Sequence, residues 1–316
     1  MSAPSLSILI VNWNTEDLLR NCLNSIYEDP DSAQWEVVVV DNHSDDGSLA
    51  MLEREFAQVV VVASGENTGF VQGNYLALER ARGSHLLLLN TDTEVECGAL
   101  GPLVDFMSAH PAAGAVGPKL LNRDGSLQLS CGITPSLATE ITNKMLLHNL
   151  FPFFKLGRWD HAAIREVGWV TGACLLMRRE VVAELGFLDP ALYMFYEDLE
   201  WCLRIGRSGW KTYYYPSSRV LHLGGQSTRH NLAEMLVISQ RSLFYLFEKH
   251  YGRTQLHVLR LFTLIEMALR TLAWSLFFAF SPSRRPEGRQ RLRAYREIAV
   301  KTLSRKSYWA PARAGS

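Results

Sequence analysis

Leu86-Leu87-Leu88-Leu89-Asn90-Thr91-Asp92-Thr93-Glu94 is the stretch from which the fold is read. Four leucines in a row, just after the Gly83-Ser84 break, predict a strand buried on both faces. A polar cluster follows at the strand's C-terminal end, the edge where open α/β sheets bind their ligands. Asn90 and Asp92 lie two apart, so in an extended segment they point the same way. Hard oxygen ligands on one side of a strand end suit Mg²⁺ or Mn²⁺ bridging to phosphate oxygens. The competing reading is a strand followed by an Asx turn.

The flanking sequence repeats the pattern. Leu6-Ser7-Ile8-Leu9-Ile10-Val11 is a β-rich run ending in Asn12-Trp13-Asn14-Thr15, and Thr15 is placed to cap a helix starting at Glu16. Leu18, Leu19, Cys22, Leu23 and Ile26 form that helix's buried face. Residues 35–40 are a second strand, followed by Asp41-Asn42-His43-Ser44-Asp45-Asp46-Gly47-Ser48. A third apolar run at 59–62 leads to Ser64-Gly65-Glu66-Asn67-Thr68-Gly69-Phe70 and a helix over about 71–81. Strand and helix thus alternate up to the leucine run, which predicts a doubly wound parallel sheet. The polar clusters at the strand ends then open on one edge. There Asp41 is able to accept a hydrogen bond from a base N–H, or with Asn42 to cap the next helix. Neither Gly-x-Gly-x-x-Gly nor Walker A follows the first strand. A diphosphate bound here is therefore not held by a glycine loop, and a metal ion is its natural counter-charge.

Downstream, Ala115-Val116-Gly117-Pro118 and the Asn122-Arg123-Asp124-Gly125 turn read as an edge strand and hairpin. Residues 132–165, with Phe151-Pro152-Phe153-Phe154, read as a mobile loop excursion. Residues 167–177 return as a buried strand in which Gly172 marks a kink or close backbone approach. Glu197, Asp198, Glu200 and Arg204 at a helix start are either a solvated face with ordinary ion pairs or the source of a general base. His222 precedes a glycine pair, where backbone is able to approach phosphate, and imidazole is a common metal ligand.

Composition is that of a globular protein, with 47% hydrophobic and 20% charged residues. The net charge of zero hides an asymmetry. From Ser281 onward ten basic residues face two glutamates, which leaves residues 1–280 at −8. A basic tail on an acidic body suggests an anionic partner. The five scattered cysteines, with no Cys-x-x-Cys, read as reduced thiols of a cytosolic compartment. The N-terminus goes straight into a strand without a signal-peptide layout.

Residues 5 to about 230 resemble family 2 glycosyltransferases of the GT-A fold. The resemblance is carried by Val11-Asn12-Trp13-Asn14, Val40-Asp41-Asn42 with Ser44 and Asp46-Gly47-Ser48, and Asn67-Thr68-Gly69-Phe70 with Gly73 and Asn74. It continues in Leu89-Asn90-Thr91-Asp92, Thr171-Gly172-Ala173, Tyr196-Glu197-Asp198 with Arg204, and Val220 and His222 with Gly225 and Ser227. The subgroup it resembles is bacterial rhamnosyltransferases of cell-wall and surface-polysaccharide synthesis. The resemblance implies a Rossmann-like, mainly parallel sheet flanked by helices, and inverting sugar transfer from a nucleoside-diphosphate sugar. It implies donor contacts from Val11, Asn12, Asn14, Asp41, Asn42, Asn67, Gly69, Phe70, Asn74, Asn90, Thr91 and Asp92, with Asp41 on the base. It implies Asp92 and His222 as ligands of Mg²⁺ or Mn²⁺, and Asp198 as the base that deprotonates the acceptor hydroxyl. Trp169, Gly172, Ala173, Glu197 and Trp201 fall on the acceptor side. The family's Asp-x-Asp begins here with Asn90, an uncharged ligand. The subgroup implies dTDP-L-rhamnose as donor and a polyprenyl-linked glycan as acceptor; a UDP-sugar is the alternative donor.

Two domains are expected: residues 1–231, the transferase, and residues 232–316, a helical appendage. In the appendage Val258, Leu261, Phe262, Ile265, Leu269, Leu272 and Leu276 keep one helix face, with His257, Arg260, Glu266, Arg270 and Ser275 mainly on the other. The longest uncharged run, residues 271–283, is shorter than the roughly 20 residues a span needs. An amphipathic helix beside Arg284, Arg285, Arg289, Arg291, Arg293 and Arg296 suits a peripheral site on the cytoplasmic face of the membrane. The alternative is packing on the catalytic domain or on a second copy in a homo-oligomer. Two other function classes fit the sequence less well. An inactive nucleotide-sugar-binding protein would not need both Asp92 and Asp198, and nucleic-acid binding lacks the interleaved aromatic and basic residues it requires.

Overall fold

The computed structural model describes residues 4–145, 159–224, 232–280 and 285–304. The chain divides into two compact units, residues 1–134, 159–190 and 197–227 in one and 135–158, 191–196 and 228–316 in the other.

In the first unit β1 (Leu6–Asn12), β2 (Trp35–Asp41), β3 (Val60–Ala63) and β4 (His85–Leu89) pair in parallel, in the spatial order β3-β2-β1-β4. Helices α1 (Glu16–Tyr27), α2 (Ser48–Glu55) and α3 (Gly69–Leu78) make the connections. Leu19, Cys22, Leu23 and Ile26 of α1 are fully buried, and so are Leu86, Leu87 and Leu88 of β4. The chain winds outward from β1 to β3, then crosses back to place β4 on the other side of β1. The carboxyl ends of β1 and β4 therefore flank a topological switch point, the crevice where such sheets bind ligands. Gly73 allows α3 to lie against this edge, since a methyl group there would stand 2.8 Å from Val11 Cγ1.

Beyond β4 the sheet turns antiparallel through β11 (Cys174–Arg178) and β6 (Ala113–Leu121). Next comes β12 (Lys211–His222), parallel to β6, and then β5 (Thr93–Val95). β7 (Leu127–Gln128) pairs with β6 and β9 (Arg165–Val167) with β12; β8 (Cys131–Gly132) and β10 (Trp169–Val170) form a separate ribbon. Helices α4 (Gly101–Ala109), α6 (Arg179–Leu185) and α7 (Glu197–Arg207) complete an α/β fold with a mixed sheet flanked by helices.

Three expectations are corrected. The strand containing Ala115 to Pro118 is interior, paired on both sides, and its proline is accommodated beside the register shift of β12 between Tyr215 and Arg219. Residues 167–177 are not one strand, because Gly168 and the 171–173 turn divide them among β9, β10 and β11. The 132–165 region contains α5 (Leu137–Lys144), started by a capping box between Ser136 and Thr139; Phe151 to Phe154 lie outside the described residues.

The second unit is helical. α8 (Leu232–Phe280) is broken at Gly252, whose φ of 82° is left-handed, and α9 (Arg285–Leu303) packs along it. Val237, Met267, Ala294, Tyr295 and Ile298 form its small core. Lys144 is buried and bonded to Glu266 (2.8 Å) and Gln240 (3.2 Å), as a buried ammonium requires. The expected polar face of α8 is thereby turned inward at two positions. Glu266 meets Lys144, and Arg260 donates to the carbonyls of Thr302 and Ser304, acceptors that the end of α9 leaves without helical partners. Five of the seven stripe residues face outward, Leu261, Ile265, Leu269, Leu272 and Leu276 being 39–60% exposed, while Val258 and Phe262 are half-buried. On α9, Arg289, Arg293, Arg296, Val300 and Leu303 are exposed. Arg284 lies outside the described residues.

At the sheet edge opposite the switch point, Glu36 accepts from Ser7 Oγ, Arg82 and the Gly83 N–H, and a methyl group on Gly83 would stand 2.6 Å from the backbone nitrogen of Ser7. Neither side of that contact is a flexible side chain. Gly83→Ala is expected to lower stability by roughly 1–3 kcal/mol in urea unfolding, whereas Gly65→Ala, with open space around it, leaves the midpoint unchanged.

Candidate functional site

The ends of β1 and β2 are fastened together by a buried polar lattice. Asn12 Nδ2 donates to Asp41 Oδ1 (2.9 Å) and Ser44 Oγ (3.1 Å), and Ser44 N donates to Asp41 Oδ2 (3.0 Å). Asn12 and Asp41 are buried, so each unmade bond would cost the desolvation of its group. Each Asp41 oxygen keeps a free lone pair. Asn14, at φ 52°, accepts from Asp45 N and donates its own N–H to Ser44 Oγ. Thr15 does not cap α1 with its side chain. Its hydroxyl donates to Asn12 Oδ1 and lies 3.0 Å from Thr91 Oγ1, while Asp46 Oδ2 takes the cap by accepting from Glu16 N (2.8 Å).

Asn42 and Asn67 hold the start of α3. Asn42 Nδ2 donates to Asn67 Oδ1 and the Gly69 carbonyl, and Asn42 Oδ1 accepts from the backbone and hydroxyl of Thr68. Asn42 is thus consumed in shaping the loop. Asn74 donates to the Phe70 carbonyl, and its Oδ1 is buried without a partner. Phe70 and Val11 are half-buried beside them.

After β4 the chain does not stay extended. Residues 91 and 92 form a turn, closed by Thr93 Oγ1 donating to the Asn90 carbonyl (2.7 Å), so Asn90 and Asp92 do not share a pleat as expected. The turn delivers Asp92 to β12: its carbonyl accepts from Leu223 N (2.9 Å), and its Oδ1 lies 3.2 Å from His222 Nε2. His222 Nε2 is buried and makes no hydrogen bond of good geometry. A carboxylate oxygen and an imidazole nitrogen converging in this way are a donor set that would hold a divalent cation. Among the described residues no cluster of three or more such side chains occurs. Sequence reading missed Gln128, whose Oε1 lies 2.6 Å from His222 Nδ1; 94 residues separate them, and only the β6–β7 hairpin brings them together.

A second carboxylate pair stands at the start of α7. Asp198 Oδ2 accepts from Gly172 N (2.7 Å) and Oδ1 from Leu199 N (2.7 Å). Desolvation raises the Asp198 carboxyl above its ordinary range against these bonds. Glu197 is buried with Oε2 unpartnered, and burial, then the Asp198 charge, pushes it to about 8. Burial thus opposes the charged form of both carboxyls, and backbone donors on both oxygens oppose that shift at Asp198. Phe195 and Tyr196 enter the helix with φ of 67° and 66°, a strained approach of the kind that clusters at functional sites. The two halves of the site are linked through the sheet, because Asn90 N donates to the Ala173 carbonyl (3.0 Å).

Two readings of α7 are corrected. Glu200 is not on a solvated face. It is fully buried, pairs with Arg204 (2.9 Å), and Arg204 in turn binds the carbonyls of Leu185, Gly186 and Phe187. Trp201, expected on the acceptor side, is also fully buried, with Nε1 donating to the Gly186 carbonyl (3.0 Å). Both face inward because they lie on the apolar side of a helix that packs on the sheet. Trp169 stays half-buried on the ribbon beside Gly172 and Ala173.

Comparison with known proteins shows the family. Residues 3–241 match the profile described as glycosyltransferase like family 2. The chain is 30% identical over 236 residues to the N-acetylglucosaminyl-diphospho-decaprenol L-rhamnosyltransferase of Mycobacterium tuberculosis, covering 68% of this chain and 76% of that one. It is 23% identical to the rhamnosyltransferase WbbL of Escherichia coli, covering 70% and 84%. Among solved structures, a mannosyltransferase of Pyrobaculum calidifontis in complex with GDP-Man and Mn²⁺ superposes with a TM-score of 0.57 at 18% identity, covering 96% of this chain and 88% of that one. GalNAc-T7 with UDP, GalNAc and Mn²⁺ superposes at 0.55 and 20% identity, covering 78% and 50%. The ends of β1, β2 and β4, the Asp92–His222 pair and the Asp198 carboxylate thus sit in a glycosyltransferase, and the chain belongs to glycosyltransferase family 2.

Proposed function

We propose that this glycosyltransferase moves L-rhamnose from dTDP-L-rhamnose, with inversion, onto a polyprenyl-diphosphate-linked glycan in cell-wall or surface-polysaccharide synthesis. The observation that carries the reaction type is the carboxylate held at the start of α7: Gly172 N and Leu199 N each donate to one Asp198 oxygen and fix its orientation, beside the buried Glu197 with its unpartnered Oε2. Asp198 is the general base that takes the acceptor hydroxyl's proton as the oxygen attacks the anomeric carbon, opposite the departing diphosphate. Asp41, with acceptor capacity left on both oxygens, binds the base N–H. Asp92 and His222 hold a Mg²⁺ or Mn²⁺ ion, which supplies Lewis-acid stabilisation of the diphosphate's charge. Asn90, Thr91, Asn14, Asn67, Gly69 and Phe70 line the donor, and Trp169, Gly172 and Ala173 the acceptor. The sugar and the lipid-linked acceptor are supported by the names of the relatives; the alternative donor is a UDP-sugar.

The second unit is proposed to seat the enzyme on the cytoplasmic face of the bacterial membrane, as a peripheral protein. The support is the outward turn of the α8 stripe beside exposed arginines on α9. Among the described residues no helix is long and apolar enough to cross a membrane. Apolar side chains enter the acyl boundary, and each arginine near anionic headgroups contributes on the order of 1 kcal/mol.

Three outcomes are expected. With dTDP-rhamnose and a panel of UDP-sugars, the wild type turns over dTDP-rhamnose; Asp198→Asn binds donor normally and loses about 10²–10⁴-fold in rate. Because desolvation raises the Asp198 carboxyl, wild-type transfer falls on acidification at a higher pH than an ordinary aspartate would impose. Turnover of UDP-sugars alone would overturn the donor, and near wild-type turnover by the variant would overturn the base. In calorimetry, chelator abolishes tight dTDP binding to the wild type, as does Asp92→Ala with metal present. In vesicle sedimentation, full-length protein binds anionic liposomes, Leu269→Asp with Leu272→Asp releases it, and high salt weakens binding only in part because the apolar contribution is unscreened. Wild-type indifference to anionic vesicles would make the stripe a subunit contact.

A further inference from the structure

We infer that Gln128 is a positioning residue that fixes the tautomer of His222 and aims its Nε2 lone pair at the space shared with Asp92. The inference deepens the proposed cation site, and its consequence for affinity rests on that reading. The geometry is independent of it.

The chain of bonds can be read from groups whose roles are not in question. Asn122 Nδ2 donates to the Leu127 carbonyl (3.4 Å) and to Ser126 Oγ (3.0 Å). A backbone carbonyl only accepts, so the nitrogen side of the Asn122 amide faces the turn and its Oδ1 faces Gln128. Gln128 Nε2 donates to that Oδ1 (3.0 Å) and to the His222 backbone carbonyl (3.2 Å). Two acceptors thus fix the Gln128 amide in the same way, and its oxygen is the atom left facing His222 Nδ1 at 2.6 Å. An amide oxygen carries no proton, so Nδ1 must carry one. In the neutral ring the lone pair is then on Nε2, the buried atom without a hydrogen-bond partner, 3.2 Å from Asp92 Oδ1. Ligating imidazoles are commonly oriented by such a bond at their other nitrogen. Here it comes from β7, on the short hairpin closed by the Asn122 to Ser126 turn.

The test uses the full chain with ¹⁵N-labelled histidine at about pH 8.5, above the ordinary imidazole range; the His222→Ala spectrum assigns the ring. Wild type is expected to show the Nδ1–H tautomer. Gln128→Leu should give a mixture with the Nε2–H form and weaken binding of Mn²⁺, added alone and followed by paramagnetic resonance, by roughly 10–100-fold. Gln128→Glu, which keeps an acceptor at Nδ1, should restore the tautomer and most of the affinity. An unchanged His222 tautomer in Gln128→Leu overturns the inference, as does a glutamate variant no better than the leucine one. If instead Gln128→Leu changes the tautomer while Asp92→Ala leaves Mn²⁺ affinity at the wild-type value, the cation site falls and the positioning role stands.

Discussion

Strand β4 has no free face and no free edge. It is parallel to β1 on one side, antiparallel to β11 on the other, and covered above and below. Everything placed at the site depends on that double pairing. The β1 side brings the Asn12–Asp41–Ser44 lattice, and the β11 side brings the 171–173 turn whose backbone holds Asp198. The chain leaving β4 turns at once and rejoins the sheet as β5 against β12, and that turn sets Asp92 against His222.

Polar groups at the carboxyl edge are packed to a degree that leaves little to rearrange. Asn12 is bonded to Asp41 and Thr15, and the Asn42 side chain is spent on Asn67, Thr68 and Gly69. Four side-chain atoms there, Asn74 Oδ1, Trp169 Nε1, Glu197 Oε2 and His222 Nε2, are among the described buried atoms without a hydrogen-bond partner. Burying an unpaired polar atom is costly, and each of these four is available to a ligand or proton.

The helical unit follows a different logic. Its interior is organised around a buried ion pair, Lys144 with Glu266, while leucines that would ordinarily be inside are outside. Burial of charge with exposure of a leucine stripe is uneconomical for a protein surrounded only by water.

Much of the fold could be read directly from the chain, for local reasons. The leucine run, the alternation of strands and helices before it and the buried face of α1 are properties of neighbouring residues. So were most of the residues that gather at the edge, since polar clusters at strand ends are themselves local. What the sequence left open required contacts between distant segments. Thr15 was placed to cap a helix that Asp46 caps instead. The strand at 113–121 looked like an edge because its partners, β11 and β12, come much later in the chain. Trp201 and Glu200 looked available until the loop at 185–187 closed over them through Arg204. The helix wheel of α8 was legible, but which side faced inward was decided by Lys144 and by the carbonyls at the end of α9. Gln128 carried no signal in its own neighbourhood. Its role comes from a hairpin that lays it against His222, and a hydrogen bond across 94 residues has no local cause.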